Sequence, residues 1–283
     1  MVIPPAPAPS LPLELERTIF ELSAIDTRMS IPNLMLVAWR VRNWVEPLLY
    51  QIMFISTPRV GPQIHGFPVF TPNMLFRIIE CKSSRLVHVR YLYINGLPGD
   101  TVTTILAACP LLIGLFGFAG GDVPCLAALG ALKALSRLAA NLEQVFPFGK
   151  IDFTHGLFRT LTHLELLDAV DLHIIRNITL IPHLTHIAFH RPPHTQHAYN
   201  ILVANIGLQC ILFFHVADLK VHLRLEDIRC VCVVMIDYTR DWLLGADGGE
   251  DYWTVANSFI AAKRAGRIDH HHFPLLYASP DIL

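Results

Sequence analysis

The chain has 283 residues and a formal net charge of -1 at pH 7. This length allows one large domain, or a small module followed by a larger domain. Apolar residues make up 53% and charged residues only 16%, whereas about 25% charged residues are usual in soluble domains. The composition therefore predicts either strands buried on both faces or a membrane span. The absence of a basic run from the sequence argues against nucleic acid as a partner, because phosphate binding needs a basic surface.

The first ten residues, MVIPPAPAPS, contain four prolines, no basic residue and no long apolar run. They are not typical of a secretory signal, and residues 1–10 are predicted to form a disordered or extended tail. The six cysteines are scattered and mostly lie in apolar runs. This usage indicates buried thiols in a reducing compartment rather than a disulfide framework, so we expect a cytoplasmic or nuclear location.

Residues 11–50 are predicted to form a compact three-helix module. Pro12 suits the start of a helix, and Leu15, Ile19 and Leu22 recur at helical spacing on one face. A second apolar stretch runs from Leu34 to Val45, and Pro47 is expected to break or restart the last helix.

The segment after this module is predicted to contain a strand over 51–55 and a helix that opens at Thr71-Pro72. The uncharged stretch from Thr101 to Gly121 is long enough to span a bilayer. However, Pro110 and several glycines interrupt it and its flanks are acidic. We therefore expect no membrane contact, but a buried helix, a turn at Cys109-Pro110 and a buried strand.

From residue 86 onward the chain repeats the pattern L-x-x-L-x-L with apolar substitutes. The copies begin at Leu86, Leu161, Leu184, Leu208 and Ile228, with weaker copies at Leu112 and Leu132. The clear later copies recur about every 20 to 24 residues, which is the period of leucine-rich repeats. This spacing predicts an α/β fold in which short parallel strands stack as a solenoid over 51–266. We expect the core to contain Leu164, Leu166, Ile187, Phe189, Ile211 and Phe213.

Residues that alternate with the core positions should lie on the opposite face of the sheet. The predicted partner-binding face contains six residues from three repeats: His163, Glu165, His186, His190, Leu212 and Phe214. This row changes from polar to apolar, and an exposed apolar patch usually marks a contact site. Two outcomes stay open at this point. Either the C-terminal helix covers the apolar end, or that end anchors a partner and the histidines form its polar rim.

The C-terminal part begins with a turn-rich loop that contains GADGGED. Its acidic residues argue against phosphate binding, and we expect a tight turn followed by an acidic helix cap. Residues 250–266 are predicted to form an amphipathic helix, with Trp253, Ala256 and Ile260 on one stripe beside Phe259. This helix is expected to cap the solenoid, because a solenoid needs an end cap. Residues 267–283, which include His270-His271-His272, are expected to form a solvated tail.

Two groups of residues resemble a known family. The stretches LPLELERTIFEL and IPNLMLVAWRVRNWVEPLLY resemble an F-box, and WVEPLLY, FTPNMLFRIIE, LTHLELLD and DYTRDWLLGADGGEDYWTVANSFIAAKRAG resemble F-box-like proteins of mushroom-forming fungi. The resemblance implies an N-terminal F-box-like module that docks onto the Skp-type adaptor of a cullin-type ubiquitin ligase. The residues it assigns to adaptor binding are Leu11, Pro12, Leu15, Ile19 and Phe20. The repeats would then hold an unknown protein substrate.

Five histidines between 183 and 197 could suggest a metal site. We expect no metal and no cofactor there, because a strand and a proline-rich loop do not bring such ligands together. His88, His163 and His186 are instead predicted to occupy the same position of three repeats. Cys230 and Cys232, two residues apart in a strand, are predicted to share one face as buried thiols.

No nucleophile elbow, Walker loop, HExxH motif or dinucleotide fingerprint occurs in the sequence. No catalytic residue is therefore predicted. Three hypotheses for the function stay open. A ligase subunit predicts an exposed apolar helical surface within residues 11–45, and a free-standing repeat scaffold predicts those residues packed onto the first repeat. An unrecognised enzyme, for example one of secondary metabolism, predicts a concave pocket with convergent polar groups.

Overall fold

The structure is a computed structural model. It describes residues 11–56, 61–94, 96–118, 123–146, 150–167, 169–191, 193, 195–214, 227–234, 237–268 and 275–276. The tail predicted for residues 1–10, the three histidines at 270–272 and His194 lie outside the described residues, as does most of the tail predicted for 267–283.

The described residues alternate between helices and short strands along most of the chain. The helices are α1 Leu13–Asp26, α2 Ile31–Leu34, α3 Trp39–Gln51, α4 Pro72–Lys82, α5 Gly99–Ala108, α6 Val123–Gly130, α7 Leu142–Val145, α8 Leu172–Asn177, α9 Gln196–Ala204, α10 Tyr238–Ala246 and α11 Tyr252–Arg264. The strands are β1 Ile52–Ile55, β2 Gln63–Ile64, β3 Phe67–Phe70, β4 Tyr91–Ile94, β5 Gly114–Phe118, β6 Arg137–Ala140, β7 His163–Leu166, β8 His186–Phe189, β9 Cys210–Phe214, β10 Cys230–Val234 and β11 Leu275–Leu276.

These strands form one sheet in the order β11-β10-β9-β8-β7-β6-β5-β4-β1-β3-β2. All neighbouring pairs are parallel except β2 and β3. The fold is therefore mixed α/β with a mostly parallel sheet, as predicted at that level. The six predicted core residues on β7, β8 and β9 are at most 2% exposed, which confirms their burial.

The strand register corrects three copies of the repeat pattern. The residues that lie side by side across the sheet are Met53, Leu92, Leu115, Leu138, Leu164, Ile187 and Ile211. The copies predicted to begin at Leu86 and Leu132 are each three residues too early, since Leu92 and Leu138 occupy the position assigned to Val89 and Leu135. In the last copy Cys230, not Val231, pairs with Ile211. Both faces of these strands are apolar, so alternation alone could not fix the register.

Helices cover both faces of the sheet. On one face, α5, α6, α8 and α9 pack against the repeat-core residues. On the other face, α10 and α11 pack against the alternating residues of β4–β6 and β8–β10. The predicted C-terminal helix is present as α11, but it lies against a face of the sheet while β11 occupies the sheet edge. The structure is in this respect unlike an open solenoid closed by an end cap.

The N-terminal helical module, defined here as residues 11–51, packs α1 and α2 against α3 around Ala24, Ile31, Val41 and Val45. The prediction that Pro47 breaks the last helix is wrong, because α3 continues through Pro47 to Gln51. Val45 and Tyr50 are buried on either side of the proline, and this packing offsets the backbone hydrogen bond that proline cannot donate.

The uncharged stretch from Thr101 forms most of α5, a turn after Cys109 and then β5. Val102, Ile105 and Leu106 on the helix and Leu115 on the strand are all buried in the repeat-side core. Within the described ranges, no helix combines the length and hydropathy that crossing a bilayer requires. The helix, turn and strand predicted for this stretch are confirmed.

Candidate functional site

The N-terminal helical module presents large apolar side chains to solvent. Leu11, Leu15 and Ile19 are 58%, 53% and 52% exposed, and Pro12 is also exposed. Leu22 is exposed on the same helix. Several large apolar side chains exposed on one helix are typical of a contact site.

Phe20 differs from the other four predicted adaptor-binding residues. Its side chain is half-buried and packs against the small core of the module. Leu36, Val37 and Trp39 are more exposed than Leu11, Leu15 or Ile19. The sequence did not predict these three residues as binding residues. They lie in an uncharged run, LMLVAW, whose apolar residues do not recur at a clear helical spacing.

The module is also attached to the rest of the chain. The Arg28 side chain, which is 7% exposed, donates from Nε to Asp247 Oδ1 at 3.0 Å and from Nη1 to the Leu48 carbonyl oxygen at 2.8 Å. A second contact joins Arg28 Nη2 to the same carboxylate. Asp247 lies directly after α10, so one arginine links the module to the C-terminal helices.

Asp247 belongs to the loop that joins α10 to α11. In this loop Gly248 has a φ of 85°, a backbone conformation that favours glycine. A Cβ on Gly245 would lie 2.5 Å from the Asp251 Cβ, so the close approach requires glycine. Asp251 accepts a hydrogen bond from the Thr254 backbone N–H at 2.8 Å and caps α11. The predicted turn and acidic cap are confirmed.

The predicted partner-binding face lies beneath the C-terminal helices. Glu165, His186, Leu212 and Phe214 are between 0% and 7% exposed, and His163 and His190 are partly buried. The expectation of an open face at these residues is wrong. The apolar side chains of β8–β10 are covered by Trp253, Phe259 and Ile260 of α11, because leaving two apolar sheet residues in water is unfavourable. This is the first of the two outcomes considered for this face.

Glu165 is the centre of a hydrogen-bond network under this cover. Its Oε2 accepts from the Tyr238 hydroxyl at 2.6 Å and from the Tyr252 hydroxyl at 2.5 Å. Its Oε1 contacts His190 Nε2. Burial is the main cause that raises the pKa of both tyrosine hydroxyls well above the ordinary tyrosine value, and the nearby Glu165 charge adds to it. The tyrosines therefore stay neutral donors, and the network satisfies a carboxylate that would otherwise be costly to bury.

Two Thr-His pairs occupy equivalent positions at the starts of β7 and β8, where each threonine directly precedes its strand. Thr162 Oγ1 lies 2.8 Å from His163 Nδ1, and Thr185 Oγ1 lies 2.7 Å from His186 Nδ1. The two imidazole rings stack with centroids 4.1 Å apart. The interpretation that His163 and His186 share a repeat position is confirmed by their pairing. It is wrong for His88, which precedes β4, where Tyr91 occupies the equivalent position.

A cleft with about 400 Å³ of empty space, including the part open to solvent, lies between the starts of β4–β7 and the C-terminal helices. Its walls include Tyr91, Trp242 and Trp253, and its polar groups include Arg137 and Asp251. Arg137 Nη1 donates to Asp251 Oδ2 at 2.9 Å. Asp251 and the nearby Glu165 both accept hydrogen bonds from other residues of the fold.

Cys230 and Cys232 share one face of β10, as predicted. The corrected register turns that face toward the repeat-side core, where Cys230 is buried and Cys232 is half-buried. Burial raises the pKa of the Cys230 thiol to about 12 and that of Cys232 to about 11. Such thiols stay protonated and are poor nucleophiles and metal ligands. Across the described portion of the chain, no group of three or more His, Cys, Asp or Glu side chains is arranged to hold a metal ion.

Comparison with models of known protein families and with curated proteins gives no match to this chain. The evidence for function therefore rests on the residues and geometry described above.

Proposed function

We propose that this protein is a non-catalytic interaction protein whose N-terminal helical module docks onto a Skp-type adaptor of a cullin-type ubiquitin ligase. The observation that supports the proposal most is the exposed apolar surface around Leu11, Leu15 and Ile19. These residues lie at the positions that the F-box resemblance assigns to adaptor contact. Such a ligase subunit acts in the cytoplasm or nucleus.

The adaptor surface extends beyond the F-box-like motif residues. Leu36, Val37 and Trp39 are exposed on the same module, and aromatic side chains contribute strongly to interface energy. Phe20 acts from beneath this surface, because its packing against the module core fixes the orientation of α1.

The larger part of the chain is proposed to be a degenerate leucine-rich-repeat-like unit. Its support is the succession of parallel strands from β4 to β10, in which strand order follows chain order. In this proposal the unit recruits an unknown protein substrate. The face of β7–β9 is buried under α10 and α11, so a substrate would bind another surface of this unit.

Direct binding tests the adaptor proposal. The full chain and a purified fungal Skp-type adaptor are mixed and followed by size-exclusion chromatography and calorimetry. We expect a complex with the wild type and its loss with the double variant Leu15→Asp/Ile19→Asp. A matched control is Leu180→Asp, which changes a similarly exposed apolar residue outside the module and should leave binding intact.

Folding of each variant is checked by circular dichroism and urea unfolding. No complex with the wild type would overturn the adaptor proposal. The scaffold hypothesis would then take its place, since Arg28 and α3 already join the module to the rest of the chain. Equal binding by the wild type and the double variant would show that another surface contacts the adaptor.

A further inference from the structure

The stacked His163 and His186 rings lie at the contact between the sheet and α11. Trp253 of α11 meets both rings edge-on, with centroid separations of 5.2 Å from His163 and 5.6 Å from His186. Asn257 Oδ1, also on α11, lies 3.1 Å from His186 Nε2. Because these rings contact α11 directly, any charge that they acquire acts on the attachment of this helix.

The charged groups around the pair disfavour a second positive charge. Arg137 on β6 contributes positive potential at both rings, and Asp251 at the start of α11 partly opposes it at His186. The Asp251 carboxylate is already paired with Arg137. Other titratable groups at the contact between the sheet and the C-terminal helices include Glu165 on β7, His190 directly after β8, Cys210 on β9 and Tyr252 on α11.

Burial lowers the pKa of His163 to about 3, and the nearby His186 and Arg137 act in the same direction. Burial likewise lowers the pKa of His186, although the Asn257 hydrogen bond opposes this shift. A hydrated histidine has a pKa of about 6.5. The attached arrangement is therefore favoured fully above about pH 6.5 and loses stability as the pH falls below that value, because the detached form binds more protons.

We propose that the stacked His163–His186 pair is an acid-sensitive latch that holds α11 against the sheet. Protonation in acid separates α11 from β7 and β8 and hydrates both rings. The separation uncovers apolar side chains of β9, including Leu212 and Phe214, which pack under α11. Two imidazoles stacked at 4.1 Å cannot both carry a proton without strong repulsion.

Hydrogen exchange between pH 7 and pH 5 tests the latch, because carboxylates near their ordinary pKa of about 4 stay largely ionised over most of this window. We expect the protection factors of α11 amides, corrected for the intrinsic pH dependence of exchange, to fall by up to about tenfold per pH unit for each linked proton. Amides of α9, which packs on the other face of the sheet, should keep their protection. Binding of an apolar dye should rise over the same range.

The double variant His163→Phe/His186→Phe keeps two stacked rings but cannot bind protons. Its α11 protection should no longer depend on pH. His183→Gln is the matched control, because His183 is exposed in the same repeat and its loss should leave the dependence intact. If the double variant does not fold, His163→Gln is used instead and should reduce the slope.

Three results would overturn the latch. In the first, α11 protection in the wild type does not change between pH 7 and pH 5. In the second, the histidine variants show the same slope as the wild type, which would assign the titration to other groups. In the third, α9 and α11 lose protection together, which would mean that the histidines act on global stability and not on the attachment of α11.

Discussion

The N-terminal helical module and the C-terminal helices both carry large apolar side chains, but they place them differently. Trp253 and Phe259 of α11 are 4% and 6% exposed, whereas Trp39 of the module is 70% exposed. The C-terminal helices pack against an apolar face of the sheet. The helices of the module pack only against one another, around a small core. Apolar periodicity thus predicts an amphipathic helix with one apolar face. It does not predict whether another part of the chain covers that face.

The largest effect is expected where the C-terminal helices cover the sheet. Replacing Phe214 with lysine puts an ammonium group among Tyr238, Tyr252 and other buried side chains, where its desolvation is not compensated. We expect Phe214→Lys to abolish cooperative folding, measured by circular dichroism and urea unfolding.

The control for this change is Leu22→Lys, because Leu22 is 61% exposed on α1. This variant should unfold with the wild-type midpoint. A cooperatively folded Phe214→Lys protein that lost only a binding partner would instead show that the sheet face is open in solution.

A tryptophan in each region gives a quantitative comparison. Trp253→Ala removes a buried ring from the contact with β7 and β8 and should lower the free energy of unfolding by about 3–5 kcal/mol. Trp39→Ala changes a side chain that is mostly in water and should lower it by less than about 0.5 kcal/mol. Urea denaturation of both variants measures the difference. Similar losses for the two would mean that Trp39 is covered in the free protein.

Much of the fold could be predicted from the sequence, because a repeated apolar spacing indicates which side chains are buried together. The spacing of Leu164, Ile187 and Ile211 predicted the strands and their common core, and the pattern around Trp253 predicted α11. The register of β4, β6 and β10 could not be predicted in the same way. Both faces of these strands are apolar, so a copy placed one or three residues away fits the pattern equally well.

The candidate sites were predictable to different degrees. Leu11, Leu15 and Ile19 are exposed, as an adaptor-binding surface requires. The polar row of His163, Glu165 and His186 suggested a solvent face, yet these residues are wholly or partly buried. Glu165 is satisfied by Tyr238 and Tyr252, and His186 by Asn257, and each of these partners lies more than 70 residues further along the chain. Local alternation contains no information about such distant partners.

A smaller effect is expected at Arg28, the residue that joins the two regions. Arg28→Ala leaves the Asp247 carboxylate and the Leu48 carbonyl oxygen without this donor. Removing one partner of a fully buried ion pair would lower the free energy of unfolding further. Asp247 is 22% exposed, however, so water can partly replace the guanidinium. We therefore expect a loss of about 1–3 kcal/mol in the free energy of unfolding.

Two further variants sharpen this expectation. Arg28→Lys keeps the charge, but it has no planar group that can reach both the carboxylate and the carbonyl oxygen. Its free energy of unfolding should therefore lie between those of the alanine variant and the wild type. Arg17→Ala removes an arginine that pairs with Glu21 on the exposed side of α1, and it should produce no measurable change because exposed pairs contribute little. Urea unfolding ranks the three variants. If Arg28→Ala were as stable as Arg17→Ala, the link through Asp247 would contribute nothing to stability, and other contacts, such as the Arg85–Glu46 ion pair and the packing of α3, would hold the module.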